Sequence, residues 1–355
     1  MSMQNILKVG ITLLVLFFCG PHSQAQDMHF TNYQITPTYF NPALVGNFSG
    51  TVRAGLLFRD QHELSSNVAS SPYRTFSLGV DLPVIFGFKK NHWVGAGLLI
   101  MRDNVGLGSN NEIGTGNPLS QSWSRFVPGI AYHIGMDKKM KNVFSVGVQY
   151  GATSIGLSGT DFYTENRYTG NADADQTTYS NAGNDGLNGS YGSINIGITY
   201  KSQVSKTTSY IIGAGVMHLQ NPEVNLFGRN GTINRRINAH GLLRREVNKQ
   251  FTIEPALYLS IAGPQSNIQG QFRTEYLLKK KGDTALISGL GYRLGDAAQL
   301  LTGARYKDWL ITLSFDYHLS DVSEISPYTF ELGAAKVFTV NKRPDPKPIL
   351  YCPRI

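Results

Sequence analysis

The chain has 355 residues, with 38 glycines, 18 tyrosines and 18 phenylalanines, and a formal net charge of +8 at neutral pH. This composition combines low helix propensity with high strand propensity, which argues against a mainly helical protein. A basic balance can indicate nucleic-acid binding, but the first segment of the chain argues against that class, because an exported protein rarely meets nucleic acid.

Residues 1–25 have the pattern of a secretory signal peptide. Lys8 supplies the positive flank, residues 11–18 supply most of the apolar stretch, and residues 23–25 form a small-residue cleavage site. The alternative is an N-terminal membrane anchor, but the apolar run is shorter than the ~20 residues that a spanning helix needs. Cleavage would leave Cys352 as the single cysteine, which excludes an intramolecular disulfide.

Residues 26–49 form a short segment ahead of the first alternating sequence. Within it, the order Asn41, Pro42 and Gly46 predicts one capped turn of helix. Asparagine is a good N-cap, proline suits the first helical position, and glycine suits a left-handed end. A single turn is too short to be stable alone, so we expect this segment to pack on a larger structure.

From residue 50 onward, apolar residues recur at every second position in runs of about ten residues. Residues 144–150, 194–200 and 311–318 show the pattern most clearly. Such runs are typical of half-buried strands. The predicted strands lie near 50–59, 73–83, 91–102, 121–134, 141–150, 189–200, 207–218, 233–245, 250–262, 265–277, 283–294, 297–306, 309–318 and 327–338.

An even number of alternating strands of uniform length indicates a transmembrane β-barrel, whose strands of ~9–11 residues cross the bilayer tilted. A soluble sandwich would tolerate the alternation but would not need the uniform length. The prediction is therefore an all-β protein. Residues 50–340 form an outer-membrane antiparallel barrel of about fourteen strands, and residues 341–355 form a periplasmic tail. Four prolines in this tail exclude a further strand or helix.

The connections between the predicted strands alternate in length. Every second connection is compact and contains lysine, whereas most of the others are long. The long connections are 60–72, 103–120, 151–188, 219–232 and 319–326. Bacterial barrels have short periplasmic turns and longer external loops, so this alternation predicts that both termini lie in the periplasm. Two connections on the predicted external side, near 263 and 295, are short, so the alternation in length is a tendency and not a strict rule.

Charged residues in the middle of the predicted strands must face the lumen if the apolar face contacts lipid. The predicted lumen network consists of Arg53, Arg59, Asp81, Arg125, Glu254, Arg273, Glu275, Arg293, Arg305, Asp316 and Glu331. One interpretation is a self-compensating network that stiffens the wall, with lumen glycines that permit bends. The other is a basic interior that holds an anionic solute or an acidic part of another protein. Both signs occur, which favours the first.

Asp316 and His318 are the candidate catalytic residues, because they lie two residues apart on one side of a predicted strand. At this spacing an acid–base pair could meet. The sequence has no nucleophile elbow, no paired-histidine metal spacing and no nucleotide or nucleic-acid motif. We therefore expect a protein that is not an enzyme and that uses no cofactor or metal.

The segments at the two ends of the predicted barrel contain an unusual series of residues. They are Gln26, Asp27, His29, Phe30, Tyr39, Phe40, Asn41, Pro42, Ala43, Leu44, Val45, Gly46, the strand end 58–61, Cys352, Pro353, Arg354 and Ile355. In this order the chain resembles the PorP/SprF family of outer-membrane proteins of the type IX secretion system. The bulky residues near the capped turn are expected at the barrel mouth or in the lower lumen. Structural plugging and docking to a periplasmic partner both stay open for them.

The resemblance implies one of two roles. A SprF-like protein serves secretion and cell-surface anchoring of a large adhesin with a C-terminal targeting domain, in the context of gliding motility. A PorP-like protein works with a periplasmic ring lipoprotein of the secretion machine. The long predicted external loops favour the first role, since they give a secreted partner something to hold. The alternative outside the family is an ordinary porin or solute channel. The expected partners are therefore the adhesin or the lipoprotein, together with outer-membrane lipid and without nucleic acid.

Overall fold

The computed structural model describes residues 29–61, 73–84, 91–106, 120–158, 188–226, 229–279, 283–320, 323 and 327–339. In these residues fourteen antiparallel strands close into a barrel, and two further strands form a separate hairpin. The barrel strands are β1 (Val52–Gln61), β2 (Tyr73–Val84), β3 (His92–Gly106), β4 (Ser120–Gly135), β5 (Asn142–Ser158), β6 (Asn188–Gln203), β7 (Thr208–Met217), β10 (Arg236–Glu246), β11 (Phe251–Ala262), β12 (Gln265–Leu277), β13 (Thr284–Arg293), β14 (Ala297–Tyr306), β15 (Trp309–His318) and β16 (Tyr328–Phe338). The hairpin strands are β8 (Glu223–Leu226) and β9 (Arg229–Thr232). The predicted fourteen-stranded barrel is confirmed.

Each barrel strand pairs with its neighbours in sequence, except that β7 pairs with β10 across the hairpin and β16 closes the barrel on β1. Val52 is the partner of Phe338, so both ends of the barrel meet at one rim, which we call the near rim. The opposite end is the far rim. If the termini lie in the periplasm as predicted, the far rim faces the cell exterior.

Side chains alternate between the outer surface and the lumen. On β1, Leu56 and Phe58 are exposed, whereas Leu57 and Arg59 are buried. The exposed apolar side chains recur around the barrel, as expected for a wall that faces lipid. No helix among the described residues is both long and apolar enough to cross a bilayer.

Several strands match the prediction closely, and β12, β14 and β15 match it residue for residue. The predicted boundary at 150 is wrong, because β5 continues to Ser158. The neighbouring strands β3, β4 and β6 are also long, with 15 to 16 residues each. The cause is an inverted pattern in the added part of β5, where Ile155 is buried while the small residues Ala152 and Ser154 are exposed.

The hairpin β8–β9 lies in the stretch 219–232, which was predicted to be a loop. Its Val224 packs in one apolar cluster with Trp123, Ile155 and Tyr191 of the long strands. The hairpin therefore covers the inner side of the extended wall near the far rim. The predicted signal peptide, the proline-rich tail and most of the other predicted long connections lie outside the described residues.

Residues 29–49, here called the plug, lie inside the barrel and lead into β1. The plug contains two short 3-10 turns, Pro37–Tyr39 and Pro42–Leu44. Every barrel strand contacts it. Hydrogen bonds reach all of these strands except β11, on which Tyr258 packs against Tyr33. The lumen is thus filled by the chain's own N-terminal segment.

Candidate functional site

The capped turn predicted at residues 41–46 is present in the plug, as a 3-10 turn. The Oδ1 atom of Asn41 accepts a hydrogen bond from the N–H of Ala43 at 2.9 Å, and Gly46 has a left-handed φ of +68°. The Nδ2 atom of Asn41 donates to the backbone oxygens of Ile198 on β6 and Ala214 on β7, at 3.0 and 3.1 Å. One side chain therefore caps the turn and ties it to the wall.

The plug ends at the near rim in a second set of polar contacts. Asp81 accepts a hydrogen bond from the N–H of Gly46 at 2.7 Å and pairs with Arg53 at 2.7 Å. Arg53 also donates to the carbonyl of Leu44 at 3.1 Å, and Trp93 donates to the carbonyl of Gly46 at 3.1 Å. These bonds satisfy backbone N–H and carbonyl groups of the plug, which is not part of the sheet and so has no strand-to-strand hydrogen bonds.

Lumen glycines form the seat of the plug. A Cβ atom added to Gly55, Gly95, Gly147 or Gly197 would lie closer than 3.0 Å to plug atoms. The plug atoms concerned belong to Ile35, Val45, Pro42 and Asn41, respectively. The interpretation that these glycines permit bends is therefore replaced by a steric one. They are needed because the plug backbone approaches the wall too closely for a side chain.

Two buried carboxylates hold the start of the plug in the half of the barrel toward the far rim. Glu331 accepts hydrogen bonds from the N–H groups of Thr31 and Asn32, at 2.9 and 2.8 Å. Asp316 accepts from the hydroxyl of Thr31 at 2.7 Å and pairs with Arg293 at 2.9 Å. All of these groups are almost fully buried. Buried charges persist only when they are paired and hydrogen-bonded, and here the plug supplies some of the donors.

A second cluster of ion pairs joins side chains of the wall, and its member Arg273 also lies over the ring of Tyr33 of the plug, at 5.1 Å. Arg244 contacts both Glu254 and Glu275, the latter at 3.1 Å. Arg273 pairs with Glu254 at 3.4 Å, and Arg305 pairs with Glu275 at 3.1 Å. Arg59 lies 4.0 Å from Glu331 and donates to the plug carbonyl of His29. The two signs of the predicted lumen residues thus meet in pairs.

Arg125 lies away from these pairs, over the ring of Trp123 at 5.7 Å. All of the predicted lumen charges lie on the inner side of the wall. Sequence reasoning missed Arg236, Arg244, Asp103 and His133, which are also on the inner side. On β10 the exposed residues Ile237 and Leu243 mark the outward positions, and that alternation could have identified both arginines.

The lumen also contains an apolar core, which the prediction of a polar inner face did not include. Leu57, Leu99 and Met101 point inward from the wall and pack against Phe30 and Ile35 of the plug. Each of these side chains is at most 2% exposed. Apolar residues occupy the inner face where the plug, rather than water, covers it.

Asp316 and His318 do not form the pair that their spacing allowed. Asp316 bonds to the plug, whereas His318 contacts Asp296 at 2.9 Å and the hydroxyl of Thr329 at 2.8 Å. Asp296 lies in the turn after β13. Burial raises its pKa, but hydrogen bonds from His318 and Arg293 outweigh that effect and hold the pKa well below its usual range. Thr329 is 1% exposed. His318 therefore links β15, β16 and the turn after β13 on the inner side of the barrel.

The residues that carried the family resemblance fall into two groups. Gln26, Asp27, Cys352, Pro353 and Arg354 lie outside the described residues. His29, Phe30, Tyr39, Asn41, Pro42, Ala43 and Gly46 belong to the plug, where all except the half-buried His29 are buried. In this arrangement the second group contacts the wall, and docking on a periplasmic partner would require the plug to leave the lumen.

Solved structures with a similar fold are outer-membrane barrels. The toluene transporter TbuX of Ralstonia pickettii aligns with a TM-score of 0.52 and 13% identity, over 86% of this chain and 94% of its own. The toluene transporter TodX of Pseudomonas putida aligns with a TM-score of 0.51 and 13% identity, over 87% and 93%. The monoaromatic hydrocarbon channel CymD gives 0.51 and 12%, over 87% and 94%. At this identity the likeness concerns the fold alone.

The comparison with protein families gives a match over most of the chain. Residues 22–335 match the family described as the type IX secretion system membrane protein PorP/SprF. No curated protein matches the sequence. The closed barrel, its exposed apolar surface and the family match are those of an outer-membrane protein. The chain therefore belongs to the PorP/SprF family of type IX secretion system membrane proteins.

Proposed function

We propose that this protein is a non-enzymatic partner of the type IX secretion system that supports secretion and cell-surface anchoring of a large adhesin-type substrate. The observation that carries the proposal is the plug. Its contacts extend around the whole wall, so a solute could cross the barrel only after this segment moved. An ordinary porin works through a water-filled lumen. A lumen filled by the chain itself favours a role in binding other proteins.

The far rim is the surface proposed for the secreted partner. Here the hairpin β8–β9 and the ends of β3–β6 extend the wall beyond the length of the other strands. The exposed side chains of the hairpin include Glu223, Asn225 and Asn230, which present polar groups. With the termini in the periplasm, this surface would face a substrate that has already crossed the membrane.

The test is complementation of a deletion strain with matched variants. In one variant residues 223–232 are replaced by a short Gly-Ser linker. In the control, Lys138 and Lys139 of the exposed near-rim turn are changed to glutamate. Surface adhesin is measured by antibody on intact cells, and barrel levels are measured in outer-membrane fractions. We expect the hairpin variant to reach the membrane normally and to lose surface adhesin, with the control unaffected.

The same experiment distinguishes the other roles. If the lysine variant abolished secretion and the hairpin variant did not, contact with a periplasmic component of the machine would be favoured instead. Normal adhesin display in the complete deletion strain, with impaired uptake of a small solute, would favour a channel. Affinity purification from native membranes would then identify the partner that each variant loses.

A further inference from the structure

A lysine lies on the lipid-facing side of the barrel, and nothing in the proposed function uses it. Lys336 is at an outward position of β16, close to the near rim, and Phe338 is the last residue of that strand. From Lys336 toward the far rim, the outward positions of β16 are all apolar and hold Ala334, Leu332 and Phe330. A lysine on the lipid face is costly at the middle of a bilayer and is tolerated near its surface. Lys336 therefore marks the level at which the apolar band ends and the lipid headgroups begin.

Two exposed aromatic rings frame this lysine. The Nζ atom of Lys336 lies 4.6 Å from the ring centroid of Trp309 and 4.7 Å from that of Phe338. Trp309 is the strand partner of Lys336 on β15. Trp309 is 43% exposed and Phe338 is 42% exposed. Attraction between the ammonium group and the ring faces favours this position of the side chain. Aromatic residues on barrel surfaces concentrate at the level of the headgroups, in agreement with the level that Lys336 marks.

Lys307 brings a second ammonium group to the same surface. It lies in the turn between β14 and β15, and its Nζ atom is 5.3 Å from the ring centroid of Tyr306, which is the strand partner of Trp309. Its φ is +52°, and its N–H donates to the carbonyl of Asp283 in the neighbouring turn at 2.8 Å. The adjacent turn therefore holds the backbone that carries Lys307. The near-rim patch is the name used below for Tyr306, Lys307, Trp309, Lys336 and Phe338.

The near-rim patch has an excess of positive charge. Within the part of the chain that the structure describes, no carboxylate forms an ion pair with Lys307 or Lys336. Asp308 is exposed in the same turn and Asp283 in the turn after β12, and each offsets part of the charge. Residues 279–281 of that second turn are three lysines in the sequence, so the two turns and Lys336 together contain five lysines and two aspartates. An anionic lipid beside this surface would be attracted.

We propose that the near-rim patch binds the headgroup of an anionic phospholipid, of the phosphatidylglycerol class, in the leaflet that surrounds the near rim. Lys336 binds the phosphate directly, because a ring face attracts an ammonium group and still leaves N–H donors for an anion. Lys307 adds attraction from the turn. The next outward residue of β15 is Ile311, which is exposed and apolar. Positive charge beside apolar surface fits an amphiphile, whereas a free anion in water would use only the charge.

Trp309 is itself the reporter of lipid binding, because bromine atoms on acyl chains quench tryptophan fluorescence at short range. The mature protein is reconstituted in phosphatidylcholine vesicles with rising fractions of dibrominated phosphatidylglycerol or, as the reference, dibrominated phosphatidylcholine. Trp93 and Trp123 are buried on the inner side of the wall, and a Trp309→Phe variant gives their contribution. We expect phosphatidylglycerol to be preferred beside Trp309 by roughly fivefold or more, since each nearby lysine attracts an anionic lipid.

Variants of the two lysines test which groups cause the preference. Lys336→Gln should lower it by roughly fivefold, and Lys307→Gln should lower it less, because Lys307 lies beyond the end of the sheet. Lys336→Arg, which keeps the charge, should retain most of it. Lys206→Gln is the matched control, because Lys206 is exposed in the turn between β6 and β7, on the opposite side of the barrel. A mobility change on boiling shows that each variant has folded.

Three outcomes would overturn the proposal. The first is equal quenching of the wild type by the two brominated lipids. The second is a preference for phosphatidylglycerol that Lys336→Gln leaves unchanged. The third is an equal loss with Lys206→Gln, since the lipid would then respond to the charge of the whole rim. None of these measurements involves a secreted substrate, so the lipid site and the secretion role are tested separately.

Discussion

At the scale of single residues, Asn41 combines two tasks that are usually separate. It caps the turn, and it bonds to the backbone of two adjacent strands. We expect Asn41→Ala to lower the free energy of unfolding by about 1–2 kcal/mol, because it removes a cap and two hydrogen bonds to carbonyl groups of the wall. The measurement is denaturant unfolding in detergent. Asn104→Ala, at an exposed position of β3, is the control, and an equal effect of both changes would contradict the account.

Substitutions of Gly147 and Gly197 test whether the lumen glycines are needed to leave room for the plug. Alanine at either position would bring a Cβ atom within 3.0 Å of the capped turn, and at Gly147 the obstructing atoms belong to the backbone. Forcing such an atom into a packed interior costs about 1–3 kcal/mol. We therefore expect Gly147→Ala to destabilise the barrel in the same unfolding assay. Gly270→Ala is the control, because nothing lies within 4 Å of its added atom. An unchanged midpoint for Gly147→Ala would show that the plug does not sit on this wall.

Asp137 controls the turn between β4 and β5 outside the membrane. Burial raises its pKa, but the N–H groups of Lys141, Asn142 and Lys139 outweigh that effect, so its pKa lies below the ordinary 3.8. A depressed pKa contributes stability that is present above the unfolded value and is lost as the pH falls through the folded value. The stability difference between the wild type and Asp137→Asn should therefore be constant near neutral pH and shrink below pH 3.8. A difference that grew in acid would contradict this.

At the scale of elements, the boundaries of some strands could be predicted from the sequence and those of others could not. β12, β14 and β15 were predicted residue for residue. On β15 every outward position is apolar, and on β12 Ile268, Phe272 and Tyr276 mark the outward face at regular spacing. The end of β5 was missed, since Ile155 faces inward and Ser154 outward. There the hairpin covers the inner face, and the rule that apolar residues face lipid no longer holds. The apolar–polar period of one strand cannot show which other segment of the chain packs against its inner face.

The plug was only partly predictable for the same reason. Asn41, Pro42 and Gly46 indicated a capped turn from local chemistry alone. Its place in the lumen depends on pairs that are distant in sequence, such as Ile35 with Gly55 and Pro42 with Gly147. Neither member of such a pair reveals the contact by itself. The lumen charges were predicted from their mid-strand positions, but not that Glu331 would bind the backbone of the plug.

Glu331 tests whether the plug is held as a separate element. Glu331→Gln removes the negative charge of the side chain that accepts hydrogen bonds from the N–H groups of Thr31 and Asn32. We therefore expect amide hydrogen exchange in the plug to accelerate by roughly tenfold or more. Glu275→Gln is the matched control, because Glu275 pairs with Arg244 and Arg305 of the wall. Hydrogen exchange followed by mass spectrometry of plug peptides separates the two. Equal acceleration by both variants would mean that wall and plug open together.

At the scale of the whole molecule, the barrel is a closed sheet whose lumen is filled by a segment of the same chain. Closure removes exposed strand edges, which a membrane would not tolerate. The sequence indicated the strand number and the return of both ends to one rim. It left open whether the lumen was free or filled, because this depends on packing between the plug and the entire wall.

Conductance in planar bilayers tests most directly whether the plug closes the barrel. The wild type is compared with a variant that lacks residues 29–49, and a mobility change on boiling shows that each barrel has folded. We expect the wild type to conduct little and the variant to form stable, large channels, because the deleted residues fill the lumen. Large and equal conductance of the wild type and the folded variant would contradict it, and the protein would then be an open channel.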